Sequence, residues 1–516
     1  MMRSVLNMST GVMMKKKRLF WNTIIPVVQQ AVTIVCGFIV PRLLLSNFGS
    51  EVNGLVASIT QFLSVIAFME MGVGAVVQTT LYKPLAENDF TQISKIVHSA
   101  DRFFRKIAIA LIVYTVLLIG FFPLIVETSF DPFYTGTLIF VISISSFAQY
   151  YFGITNQLLL NSDQKIYIPQ LVTILAVITN TIICAILIRS GATIQIVKLS
   201  TSFIYLMRPF VLWLYVKKKY KIDRKIELDG EPIKQKWNGV AQHIAAIILD
   251  GTDNIVLTLF STLSNVSIYS VYHLVIAGVK QLVLASTGGI QALLGELWAK
   301  QEEKKLEELF GWVEWGTHSV TVLIFGCTGV LILPFVAVYT RGITDANYIV
   351  PVFSVLLVCA HAFHCLRLPY NLMVLAAGHY RETQNSAIIQ AAMNIVISII
   401  AVWRWGLVGV AIGTLAAMIY RTVYLAKYLS DYIIKWPFVF FIKQLAVDTV
   451  IVLCAVTATS WFRIGGLNYM AWFFLAIKTV IVWTAVAVTI NLIFYRDRVV
   501  CLTDVLKRHF RPYKIK

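Results

Sequence analysis

The sequence predicts an all-α, polytopic membrane protein of about 14 transmembrane helices, built as two six-helix lobes and an appended C-terminal helix pair. Three observations predict this fold. The 516 residues are 58% hydrophobic and only 14% charged, whereas about a quarter of the residues in soluble proteins are charged. Long apolar runs recur along the whole chain, and the second half of the sequence repeats the first.

The apolar runs set the number of helices, because a helix that crosses the bilayer needs about 20 mostly apolar residues. The following segments fit this length and composition: 20–45, 54–80, 107–128, 137–160, 169–189, 194–215, 238–261, 269–297, 313–341, 350–376, 385–403, 407–427, 444–462 and 469–495. Twelve of these segments belong to the repeat and the last two do not.

The internal repeat is visible as matched residues under a shift of 215 positions, such as Asn156 with Asn371. Further matches, some with small insertions, are Gln170 with Asn385, Gly191 with Gly406, Tyr205 with Tyr420, Leu81-Tyr82 with Leu297-Trp298 and Arg208 with Arg421. Six spans is an even number, so both copies enter the membrane in the same direction, related by a pseudo-two-fold axis along its normal. Two such lobes around a midplane cavity predict a transporter.

The repeat also defines the predicted domains. The N-terminal lobe is 1–216 and the C-terminal lobe is 238–443, joined by a highly charged cytoplasmic linker at 217–237. The two extra transmembrane helices occupy 444–495, and a basic cytoplasmic tail occupies 496–516. Charged and apolar residues alternate at helical spacing in 81–106 and 298–312, which predicts amphipathic helices on the membrane surface.

The charge distribution gives the orientation in the membrane. The net charge is +18, and 33 of the 44 Lys and Arg residues fall in segments on one side of the predicted spans. The loops on the other side hold only Arg189, Arg341, Arg404 and Arg463. By the positive-inside rule both termini are cytoplasmic. The basic loops are expected to contact anionic membrane lipids rather than nucleic acid.

Polar residues inside apolar spans are the candidate functional residues, because a buried charge is costly and usually faces a cavity or a partner. The predicted cavity-lining, substrate-binding set is Arg42, Glu70, Asn156, Arg208, Lys280, Arg367 and Asn371. Asp250 and Asp253 are the candidate ion-coupling residues, since acids three positions apart share a helix face and repel each other unless a cation or proton intervenes.

Each of these assignments has a structural alternative. Asp250 and Lys280 lie at similar depth and could equally form an ion pair that only holds two helices together. For Arg367 we favour the cavity, because His361 and His364 make the same segment polar. Four residues lie near span ends, where snorkelling to the interface is the favoured explanation: Arg42, Lys198, Arg421 and Asp448. Buried histidines more often form helix contacts than bind ligands.

Two stretches carry a family resemblance. The segments Pro41 to Leu45, Phe48 to Leu55 and Phe68 to Gly74 open the first repeat, and Asp253 to Leu257 with Val266 to Tyr269 open the second. These resemble polysaccharide flippases of the O-antigen (Wzx-like) type, in the multidrug/oligosaccharidyl-lipid/polysaccharide (MOP) exporter superfamily. The resemblance implies a multi-pass protein of the bacterial cytoplasmic membrane that flips an undecaprenyl-diphosphate-linked oligosaccharide by alternating access. Its implied diphosphate ligands are Arg42, Arg208, Lys280 or Arg367.

The sequence analysis therefore favours a transporter that is not an enzyme and uses no cofactor or metal. The sequence contains no phosphate-binding loop of the G-x-x-x-x-G-K-[ST] form and no H-E-x-x-H motif. The alternatives are an ion-coupled multidrug exporter of the same superfamily and a polysaccharide polymerase or ligase. Expected partners are the lipid-linked glycan, membrane lipids and, as candidates, polysaccharide polymerase and glycosyltransferases.

Overall fold

A computed structural model describes residues 2–224, 226–227, 230, 233, 251–287 and 289–510, and all regular structure in these residues is helical. The helices are α1 Met2–Ser64, α2 Phe68–Glu87, α3 Phe90–Ile125, α4 Pro132–Ala148, α5 Ile154–Ser162, α6 Tyr167–Arg189, α7 Ile194–Lys219, α8 251–260, α9 Leu263–Ser286, α10 Ile290–Ala299, α11 Glu303–Tyr339, α12 Pro351–Leu366, α13 Leu368–Ala376, α14 Tyr380–Trp405, α15 Leu407–Tyr432, α16 Phe438–Thr459, α17 Tyr469–Phe494 and α18 Arg496–Phe510.

The predicted all-α, multi-pass fold is confirmed. Twelve helical stretches in the described residues are long and apolar enough to cross a membrane. The other two predicted spans are accounted for by their position. The second, 54–80, is divided between the end of α1, a short 3-10 segment at Val65–Ala67 and α2. Only the end of the seventh, 238–261, lies within the described residues, as α8.

Local sequence determines where several helices begin. The side chain of Asp89 accepts a hydrogen bond from the backbone N–H of Gln92 at the start of α3. Asn468 caps α17 in the same way, since its side chain accepts from Ala471. Such caps supply partners for backbone groups that the first helical turn leaves unsatisfied. Gly49 has a φ of 84°, which kinks α1 and separates its first span from its second.

The repeat reappears as matched turns. Asn88 and Gln301 both have positive φ and occupy equivalent places, between α2 and α3 and between α10 and α11. Gly191 and Gly406 likewise have positive φ where α6 and α14 end. A backbone in the left-handed region ends a helix sharply. The sequence repeat therefore corresponds to a repeat of helix lengths and turns.

The structure corrects the predicted surface helices. The segments 81–106 and 298–312 are not separate helices, because each contains a tight turn between two long helices. Helix α3 continues without interruption from Phe90 through the predicted third span, and α11 does so from Glu303 through the ninth. The amphipathic pattern belongs to the ends of these long helices, where a span emerges from the apolar region.

The described residues pack as two compact units, 1–267 and 268–516. In unit 1, residues 251–267 lie against the second half of α1 through small and polar side chains. The hydroxyls of Ser58 and Thr258 are 2.7 Å apart, and Asn53 donates to Ser267 at 2.8 Å. This packing places 251–267 in unit 1, whereas the lobes predicted from the repeat, 1–216 and 238–443, remain a prediction.

In unit 2 the appended helices α16 and α17 pack on α11. The fully buried indole of Trp483 lies against Gly326 of α11. The indole N–H of Trp315 donates to the side-chain oxygen of Asn491 at 2.7 Å. Trp483 is therefore a packing residue, which explains a tryptophan in the middle of a span rather than at its end.

Gly326 provides a sharp test of this packing. A Cβ added there would lie 1.8 Å from Cζ3 of Trp483, whereas one added at Gly316 of the same helix meets nothing within 4 Å. We expect Gly326→Ala to destabilise the protein by about 1–3 kcal/mol through overpacking. Gly316→Ala should be neutral or stabilising, because alanine favours helix. The Tm of the detergent-purified variants measures both, and equal shifts would contradict the packing described here.

Candidate functional site

Each unit contains one helix that is interrupted at the corresponding point of the repeat. In unit 1 a π-helical segment at Gln149–Gly153 separates α4 from α5. In unit 2 the helix breaks at Arg367, between α12 and α13, two residues before Pro369. Interrupted helices at matched positions of two repeats mark the binding site in many transporters, and π-helical segments often lie at functional sites.

In unit 2 the break places Arg367 among polar side chains. Its guanidinium donates to the side-chain oxygen of Gln390 at 3.1 Å and lies 3.0 Å from Nδ1 of His364. Gln390, from α14, is itself buried. These contacts hold the guanidinium in one position, which is what recognition of a planar or tetrahedral anion requires.

Lys280 and three histidines extend this group. Lys280 of α9 is only 8% exposed, and both it and Arg367 lie within electrostatic range of His361 and His364. The rings of His273 and His361 are 5.9 Å apart. We call Lys280, Arg367, His273, His361 and His364 the basic cluster. The charged neighbours that act on its two α12 histidines, in the described part of the chain, are all basic.

His361 gives the basic cluster its most informative feature. The residue is 4% exposed, and neither ring nitrogen has a hydrogen-bond partner among the residues that the structure describes. A buried polar group without a partner is costly, so such groups usually meet a ligand or water. With Lys280 and Arg367 beside it, the missing partner is an acceptor with negative charge. The basic cluster can therefore bind an anion.

In unit 1, Arg208 lies beside the π-helical segment. Its Nη2 donates to the side-chain oxygen of Gln157 at 2.9 Å. The side-chain nitrogen of Gln149 donates to the same oxygen at 3.4 Å. A Cβ on Gly153 would lie 2.7 Å from the ring of Pro209, so this glycine permits α7 to approach closely. Arg208 thus occupies in unit 1 a position beside an interruption, as Arg367 does in unit 2.

Asn156 has a different environment from the one the prediction gave it. It is 1% exposed, its side chain donates to the carbonyl of Phe152, and its oxygen accepts from Arg224 at 2.6 Å. Arg224, in the predicted linker, also pairs with Asp101 at 3.0 Å. Asn156 therefore anchors the linker to unit 1, and we omit it from the proposed substrate contacts.

The other predicted residues are distributed along both units. Arg42 is half-buried on α1, and Asp253 is 2% exposed on α8. Asn371 is half-buried on α13, where its backbone N–H donates to the carbonyl of Arg367. The side chain of Glu70 and all of Asp250 lie outside the described residues, so the predicted Asp250–Lys280 pair and the cavity-lining role of Glu70 stay predictions.

The snorkelling expected of Arg421 and Asp448 was wrong. Arg421 is 7% exposed and donates to the carbonyl of Thr383 at 3.0 Å. Asp448 is 3% exposed and lies 2.6 Å from Nδ1 of His318. Neither side chain extends along its helix towards an interface, because a polar partner on a neighbouring helix is closer.

Asp448 belongs to a buried network that the sequence analysis missed. Tyr370 donates to one carboxylate oxygen of Glu314 at 2.6 Å, and Trp436 donates to the other at 3.1 Å. The hydroxyl of Tyr370 is 3.5 Å from Nε2 of His318. Only the spacing of Glu314 and His318, four residues apart on one helix face, gave any signal in the sequence. No group of three His, Cys, Asp or Glu in the described residues has the arrangement of a metal site.

Comparisons with known proteins place the fold. No protein-family model and no curated sequence matches the chain. Among solved structures, lipid II flippase MurJ in an inward closed conformation aligns with a TM-score of 0.71 at 16% identity, covering 91% of this chain and 98% of that one. A MOP superfamily transporter from Pyrococcus furiosus, whose title reads "Reverse polarity of binding pocket suggests different function", aligns with a TM-score of 0.56 at 12% identity, covering 80% and 96%.

A multidrug and toxin extrusion (MATE) transporter in a bent conformation aligns with a TM-score of 0.52 at 14% identity, covering 80% of this chain and 95% of that one. All three likenesses lie well below the identity at which function transfers. They confirm the resemblance at the level of fold alone.

Proposed function

We propose that this protein flips an undecaprenyl-diphosphate-linked oligosaccharide across the bacterial cytoplasmic membrane, by alternating access, for surface polysaccharide synthesis. The observation that carries the proposal is the basic cluster of unit 2, with the unpartnered imidazole of His361. A diphosphate supplies acceptor oxygens and negative charge, and these match the hydrogen-bond donors of Lys280, Arg367 and His361.

The amount of burial supports a lipid-linked rather than a soluble anion. Lys280 and His361 are buried in the stretches Leu263–Ala299 and Pro351–Ala376, both of which are long and apolar enough to span a membrane. A soluble sugar phosphate would need a wholly aqueous path to these residues, whereas a lipid-linked diphosphate can enter sideways with its tail left in the bilayer. The fold neighbour titled lipid II flippase supports the same class of cargo.

The second candidate is an ion-coupled multidrug exporter, supported by the MATE fold neighbours. An exporter of cationic drugs needs an acidic or aromatic cavity, because a buried charge attracts its opposite. Arg367 and Lys280 are placed to attract an anion and repel a cation. The polarity of the basic cluster therefore favours the flippase.

The decisive experiment uses the purified protein in liposomes that carry a fluorescent undecaprenyl-diphosphate oligosaccharide. We expect protein-dependent exposure of the glycan to a lectin in the opposite leaflet. Proton or sodium counterflow driven by a cationic drug, without movement of the lipid-linked glycan, would instead establish the exporter. In cells, loss of a flippase should trap lipid-linked units inside, whereas flipped but unpolymerised units would indicate a polymerase.

A further inference from the structure

The buried network of unit 2 joins four helices and the loop before α16 through charged and polar side chains. Glu314 and His318 lie on α11, Tyr370 on α13, Asp448 on α16, and Arg498 on α18. Glu314, His318 and Asp448 are each no more than 3% exposed. Two carboxylates and an imidazole at this depth are costly unless they are paired. The network is more than packing requires, because apolar residues of similar size would fill the same space.

The hydrogen bonds assign charges to the network. Each oxygen of Glu314 accepts one bond, from Tyr370 and from Trp436. The oxygens of Asp448 accept one each, from Gln444 at 3.1 Å and from His318. An ionised carboxylate only accepts, and these bonds fit two ionised carboxylates. One imidazole therefore faces two negative charges.

The surroundings supply one further positive charge. The titratable and charged side chains that face the network from all packed elements are Glu314, His318, Tyr370, Asp448, Tyr495 and Arg498. Arg498 donates to the carbonyl of Gly311 and acts on Glu314 from α18. It is half-buried rather than enclosed. Two buried acids thus share one imidazole, with one arginine at the rim, so the group can take up a proton.

The network is linked to the basic cluster through the helix break. Tyr370 of α13 donates to Glu314 at 2.6 Å and lies three residues after Arg367. A bond of the network therefore holds the segment that follows the break at Arg367.

We propose that Glu314, with His318 and Asp448, forms a proton-binding site whose occupancy is coupled to anion binding at Arg367. The proton adds to the Glu314 oxygen that now accepts from Tyr370, forming a carboxylic acid. The Tyr370 hydroxyl then either accepts from the new acid O–H or moves away, and either change alters the bond that holds the Arg367 segment. The added positive charge favours an anion, so anion affinity rises as pH falls. By linkage, a bound anion favours the proton to the same degree.

The proton-binding site stands independently of the proposed function, whereas its coupling to anion binding at Arg367 rests on that function. The test therefore has two parts. The first measures proton uptake by the detergent-purified protein after a step from about pH 8 to about pH 6, the range in which histidine networks titrate. Glu314→Gln, which keeps the shape but cannot take a proton, should bind about one proton fewer than the wild type. Glu308→Gln, an exposed carboxylate on the same helix, is the matched control.

The second part measures binding of the symmetric dimethyl diester of diphosphate, whose own charge does not change over this range. Wild-type affinity should rise about fivefold or more at the lower pH, the usual size of a coupled effect. Tyr370→Phe should keep the proton and lose this rise. In infrared difference spectra the wild type should gain a carboxylic acid band that shifts in Tyr370→Phe, a result that needs no Glu314 variant.

The outcomes separate the two proposals. Equal proton uptake by the wild type and Glu314→Gln, or no carboxylic acid band in the wild type, overturns the proton site. A diester that binds at neither pH, while Glu314 still takes up its proton, overturns the proposed function and leaves the proton site in place. Diester binding that is equal at both pH values, with a titrating Glu314, overturns the coupling alone.

Discussion

Arg367→Ala is expected to reduce the rate of glycan-lipid flipping by about tenfold to a hundredfold. A hydrogen bond to a charged group contributes about 1.5–3 kcal/mol, and the guanidinium of Arg367 can form two such bonds with one phosphate. Its contacts with Gln390 and His364 hold the side chain in place. The initial rate of lectin-detected flipping in liposomes measures the effect.

Two variants make this result specific. Arg381→Ala removes an exposed arginine near the start of α14 and should leave the rate unchanged. Arg367→Lys keeps the charge but loses the planar fork, so its rate should lie between those of the wild type and Arg367→Ala. A folded Arg367→Ala protein that flips glycan-lipid at the wild-type rate would remove Arg367 from the substrate site.

Arg367 shows which parts of the candidate site can be predicted from the sequence. An arginine in an apolar span beside two histidines and a proline was visible in the linear chain, because these residues lie within one segment. Gln390, which bonds Arg367, comes from another helix, as do His273 and Lys280 of the basic cluster, and only packing brings these residues together. The same limit applies to Asn156, whose partner Arg224 comes from the linker.

For the fold, the sequence was sufficient wherever hydrophobicity alone decides. Apolar length predicted the spans, and Gly191 and Gly406, which the repeat matches, lie at equivalent turns of the structure. Hydrophobicity does not tell a surface helix from the protruding end of a span, because both are amphipathic. This is why 81–106 was predicted as one surface helix, although Asn88 ends one long helix and Asp89 caps the next.

Buried ion pairs are also invisible to hydrophobicity, and Asp448 is the clearest case. An acid near a span end is expected to extend to the membrane interface, where its removal would have little effect on stability. The structure instead pairs it with the fully buried His318. The two explanations predict very different energies, since a surface pair contributes about 0–1 kcal/mol whereas breaking a buried pair costs about 3–5 kcal/mol.

Asp448→Ala should therefore lower the stability of the protein by about 3–5 kcal/mol, because it leaves His318 buried without its carboxylate. Asp431→Ala breaks the exposed Lys427–Asp431 pair and should cost no more than about 0.5 kcal/mol. Thermal unfolding of the detergent-purified variants compares the two. The double variant His318→Ala with Asp448→Ala should lose less than the sum of the single losses, since neither group is then left unpaired. Additive losses, or an Asp448→Ala protein as stable as Asp431→Ala, would show that the two side chains do not interact in the membrane, and the network would lose its central bond.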